Sequence, residues 1–157
     1  MRIQRFYDFA TEALAKGPDI QAVDPWSRNA AHLMGWVITF SSGARIWVGL
    51  TTTAAPGDKD DQKEIPVTGD APTEVPYPEL YADGKITPTR AQAYLAAALT
   101  NSGSTEISRA YPYSDTNQHP GLGVIFHSEA RASLLFHHTA RPGQDKGSSA
   151  FSLQTEF

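Results

Sequence analysis

"GWVITFSSGARIWVGLT" occupies residues 35–51, and its reading decides the fold. Two runs rich in aromatic and β-branched residues flank Ser42-Gly43, the pattern of a β-hairpin. With Ser42-Gly43 as a two-residue turn, Phe40 faces Arg45, Ile38 faces Trp47 and Trp36 faces Gly49. That register gathers Trp36, Ile38, Phe40 and Trp47 on one face and Val37, Ile46, Val48 and Leu50 on the other. Both faces are then apolar and both need cover. Helices are expected on one; the aromatic face is expected to meet a second helix or a partner. Trp36, Phe40 and Trp47 are therefore candidate contact residues.

Upstream, Ile3, Phe6, Tyr7, Ala10, Ala13 and Leu14 repeat at helical spacing over residues 3–16, and Gly17-Pro18 ends the run. Asp24-Pro25 reads as a turn that caps a short helix over Arg28 to Met34. Downstream, Thr87-Pro88 starts a second helix over 87–101, with Ala91, Tyr94, Leu95, Ala98 and Leu99 as its buried stripe. A strand follows at 104–113, then a loop at 114–121. Two more strands fall at 122–127 and 132–138 around a Glu129-Ala130 turn, and residues 150–157 offer a short final strand. The order α-β-β-long loop-α-β-β-β implies an α+β domain spanning 1–157. Two helices pack on a mainly antiparallel sheet of about five strands.

Residues 52–86 form the long loop, with five prolines and, from Gly57 to Asp83, eight acids against Lys59 and Lys63. A loop this long inside a compact domain is usually functional or disordered. Asp58, Asp60 and Asp61 are its candidate binding residues. Their oxygen-rich spacing suggests calcium, but Lys63 stands where the turn glycine belongs and Gly69 where the bidentate glutamate belongs.

"GVIFHSEARASLLFHH" (123–138) holds three of the five histidines. In the expected register, with Val124 facing Leu135, His127 and His137 lie about 17 Å apart, too far for one metal. His137 and His138, as strand neighbours, point to opposite faces. Asp115, His119 and His137 or His138 remain as a candidate set for a small hydrolase or nuclease, with Asp115, His119 and His138 catalytic and His119 and His137 as metal ligands. On the preceding strand Arg109, Tyr111 and Tyr113 alternate along one face, which can stack bases or grip phosphate, with a surface or interface role as the simpler expectation.

Composition narrows the function. The chain has 157 residues, a net charge of −4 and no cysteine, which excludes disulfides and thiolate chemistry. The acidic balance argues against a broad electrostatic grip on nucleic acid, and so against nucleic acid as a partner, but does not exclude a local basic patch. No signal peptide and no membrane-spanning run is expected, and a cytoplasmic setting fits. Eight arginines against five lysines suggest a high-GC bacterial or phage origin. Nucleotide-binding and hydrolase motifs are absent, so the reading leans away from an enzyme. The expectation is an accessory, immunity-type or virion/mobile-element assembly protein that works by protein–protein contact or self-association, without a cofactor. A small-molecule binding module is the further alternative.

Overall fold

The computed structural model describes residues 1–28, 34–113 and 119–157. Helix α1 (Ile3–Ala15) leads into β1 (Ile20–Ser27), β2 (Met34–Phe40) and β3 (Arg45–Thr53); after a long connection come α2 (Pro88–Thr100), β4 (Ile107–Pro112), β5 (Gly121–Phe126) and β6 (Arg131–Ala140). The strands form one six-stranded antiparallel sheet in the order β1-β2-β3-β6-β5-β4. The α+β class and the expected order hold, with one strand more than expected.

The extra strand is β1. It occupies the Asp24-Pro25 stretch read above as a turn and helix cap. Pro25 is tolerated because β1 lies at the sheet edge, where a missing N–H breaks no central ladder. The rest of the expected short helix, residues 29–33, falls outside the described residues, and Met34 already belongs to β2.

The central hairpin turns on three residues, not two. Phe40 donates to Ala44 O at 2.9 Å and Gly43 donates to Phe40 O at 2.8 Å, closing a loop over residues 41–43. Gly43 sits at φ +90, a conformation that glycine adopts without strain. The register is therefore Trp36↔Val48, Val37↔Trp47 and Ile38↔Ile46. A one-residue slip exchanges the faces of a whole strand. Trp36, Ile38 and Phe40 thus share the core face with Ile46, Val48 and Leu50, all buried, while Trp47 points to the opposite side. Burial of all six on one face is what selects the longer loop.

The β5–β6 hairpin repeats the device. Phe126 donates to Ala130 O and Glu129 to Phe126 O, with Glu129 at φ 71. Val124 then faces Ala132 instead of Leu135, and Leu122 faces Leu134.

Both helices cover the same face of the sheet. Phe6, Ala10 and Leu14 of α1 and Tyr94, Leu95 and Leu99 of α2 join the sheet residues in one core. Tyr7 stacks on Trp36 at 4.9 Å, and the buried indole N–H of Trp36 donates to Thr11 Oγ1 at 2.7 Å. α2 starts where Thr87 Oγ1 accepts from Arg90 N, with Pro88 at its first position, as the sequence indicates. The C-terminal residues form no strand. Phe157 instead exchanges two backbone hydrogen bonds with Ile86 and buries its ring near Phe40. Among the described residues no helix is long and apolar enough to cross a membrane.

Candidate functional site

Residues 54–86 run as an ordered strap with almost no regular structure. Arg2 binds Asp58 at 2.7 Å and Arg5 binds Glu64 at 2.7 Å while also pairing with the nearly buried Glu106. These contacts raise the pKa of both arginines and lower that of Asp58, in each case first through the side-chain hydrogen bond. Gly69 N donates to Thr105 O, and the His127 ring meets Asp70 O at 2.9 Å. Asn101 clamps Val75 at both ends: its amide accepts from Val75 N and donates to Val75 O, each at 2.8 Å. Tyr77 packs on Tyr94, and Leu80 and Ile86 sink into the core. The chain itself holds this strap.

The strap leaves apolar side chains in solvent. Ile65 is 83% exposed, and Val67 and Ile3 are also exposed. All three line an open cleft of about 650 Å³ between the strap, the start of α1, the end of β3 and the β5–β6 turn. Asp58, Asp60 and Glu64 at this cleft are matched in number by Arg2, Lys59 and Lys63. Of the acids singled out in the sequence, Asp58 is engaged by Arg2, whereas Asp60 and Asp61 are exposed.

The aromatic hairpin residues lie elsewhere. Trp36 and Phe40 are fully buried beneath the helices and have no surface to offer a partner. Trp47 is 3% exposed on the opposite face of the sheet, with the Arg45 guanidinium 5.0 Å from its ring centre. Arg109 and Tyr111 are on that same outer face, at the β4 edge.

The histidines converge in part. Val48 pairs with Phe136 but Trp47 pairs with His138, so His137 is an extra residue in β6, a bulge. The bulge turns both rings to one side: Trp26 lies 5.3 Å from the His137 ring and 6.0 Å from the His138 ring. The expectation that they face opposite ways fails here. The shifted β5–β6 register also carries His137 level with His119, and Phe151 contacts both rings, at 4.5 and 4.6 Å. His127 stays apart at the hairpin tip, as expected.

This cluster is closed and electropositive. His137 is 4% exposed and its Nδ1 is buried without a hydrogen-bond partner. Burial, then Arg28, His138 and His119, lowers its pKa to about 4. Burial, Lys146 and Arg28 lower that of His138. Both rings are thus neutral at pH 7. Asp115 lies outside the described residues. Among those described, no group of three or more histidine or carboxylate side chains is placed to hold a metal ion.

Sequence reasoning missed the exposed Ile65 and Val67, because an apolar residue between prolines and acids carries no periodic signal. Comparison with protein-family models, with curated proteins and with solved structures finds no significant match to this chain.

Proposed function

We propose that the chain acts through protein–protein contact, using the cleft where the strap meets the start of α1. One observation carries this reading: Ile65, Val67 and Ile3 are held in solvent around an open cleft by a strap that the chain's own bonds fix in place. Single exposed apolar residues need no explanation, but a cluster at a cleft marks an interaction surface. A preordered surface also avoids the entropy of ordering a long loop on binding. The side-chain charges lining the cleft balance, so apolar anchors and not a strong net field would dominate the contact. The fitting partner is a polypeptide that inserts apolar side chains between Ile3 and Ile65. This role belongs to an accessory or assembly component.

A photo-crosslinking residue at position 65 tests the reading, compared with the same residue at exposed Glu12 on α1. A single protein partner captured at position 65, and lost when Val67→Asp is added, is the expected result. Equal capture at both positions, or capture that survives Val67→Asp, would end the proposal.

A further inference from the structure

The outer face of the sheet, away from both helices, carries a second and chemically different surface. Register assembles it from strands distant in sequence. Arg109 on β4 pairs with Ile125 on β5, which pairs with Arg131 on β6. The two arginines therefore share a row, two strand spacings or about 10 Å apart. Both are exposed. In the next row Tyr111 pairs with Gly123, which pairs with Ser133. A Cβ on Gly123 would fall 2.5 Å from the Tyr111 ring, so only glycine lets that ring lie across the strand. The Arg109 guanidinium sits 4.9 Å from the Tyr111 ring centre. Tyr113 follows at 6.0 Å from Tyr111, with its hydroxyl bonded to Ser133 Oγ.

Alone, Arg109 and the tyrosines lack a basic surround. The fold supplies one by bringing Arg131 alongside. Among the described residues, Glu106 on the approach to β4 is nearly buried and held by Arg5, and Glu129 stands at the hairpin tip. The acid-rich strap is tied to α1, α2 and the turn before β4, and it reaches the β5–β6 tip through the backbone carbonyl of Asp70 on the His127 ring.

We propose that Arg109, Tyr111, Tyr113 and Arg131 form a binding site for single-stranded nucleic acid. Guanidinium forks match phosphate oxygens bidentately, and tyrosine rings stack on unpaired bases. The arginine row beside the tyrosine pair suits a backbone crossing the strands at Arg109 and Arg131, with a base taking the place over the Tyr111 ring that the Arg109 guanidinium now occupies. A duplex hides its base faces and cannot use the rings. The chain's net charge of −4 makes the grip local and salt-sensitive.

Fluorescence anisotropy with a labelled oligothymidylate tests this on the full chain at low salt. Saturable binding is expected, at least tenfold tighter than to a duplex of equal length. Tyr111→Leu, which keeps apolar cover over Gly123, should weaken it about tenfold. Arg109→Ala and Arg131→Ala should each reduce the slope of log affinity against log salt by about 0.7. Circular dichroism confirms that each variant is folded. No saturable binding, equal binding to duplex, or an unchanged salt slope in the double arginine variant would overturn the proposal. So would displacement by polyglutamate as effective as by unlabelled oligonucleotide, since the site would then be one for acidic polypeptide.

Discussion

Replacing His137 by leucine should flatten the acid limb of the stability curve. His137 is buried against Trp26 and Phe151, with Arg28, His138 and His119 as the charged or titratable groups acting on it. Its pKa falls from the usual 6.5 to about 4. In the unfolded chain the ring takes a proton near pH 6.5; in the folded chain it does so only near pH 4. Between those values the unfolded state binds more protons, so stability falls as pH falls. Two and a half pH units at about 1.36 kcal/mol each set an upper bound of about 3 kcal/mol. Above pH 6.5 this residue contributes no pH dependence. At neutral pH the leucine variant should be nearly as stable as the parent. It loses ring contacts worth about 1 kcal/mol apiece, but it also removes a buried unpartnered nitrogen that costs about 1–3 kcal/mol. Urea melts of both proteins at intervals from pH 7.5 to pH 4.5 provide the comparison. Carboxylates such as Asp58 titrate in both, so the difference between the two curves isolates His137. Parallel curves across pH 6.5 to 4.5 would refute the reasoning, because the lost acid stability would then arise elsewhere.

Three further outcomes are expected. Trp36→Ala should cost about 3–5 kcal/mol in urea melts, because it empties a fully buried site and strips Thr11 Oγ1 of its indole donor. Asn101→Ala should free the strap at Val75 and speed amide exchange over residues 72–79, with a global loss of only about 1 kcal/mol, since both lost hydrogen bonds are exposed. Glu129→Gly should raise stability by up to about 1 kcal/mol in the same melts, because Glu129 holds φ 71 where a side chain is strained.

The fold class was legible because strand and helix patterns are local. Register was not, since it depends on loop length. At 41–43 the two- and three-residue loops differ by one position and exchange every face of β3. The sequence did hold the arbiter: only the longer loop puts Trp36, Ile38 and Phe40 on one side with Ile46, Val48 and Leu50. β1 was hidden by Asp24-Pro25, whose turn propensity is overridden at a sheet edge by pairing with β2. The order of the strap was invisible for another reason. Its fixings are isolated bonds such as Asn101 to Val75 and Arg5 to Glu64, which join residues far apart in sequence and leave no periodic trace.

The two surfaces also differ in how they are built, and that difference predicts how they fail. The cleft at Ile65 depends on the strap staying tied to Arg2 and Arg5, so its geometry is only as stable as a few partly exposed ion pairs. The Arg109–Arg131 row depends on the β4–β5–β6 ladder, whose core side carries Leu122, Val124, Leu134 and Phe136. High salt should therefore loosen the cleft by weakening its fixings, yet leave the sheet surface intact and merely screen its charge. A contact through Ile65 that strengthens with salt would mean that apolar burial outweighs those ion pairs. One that weakens would mean that Arg2 and Arg5, rather than the exposed side chains, set the shape a partner meets.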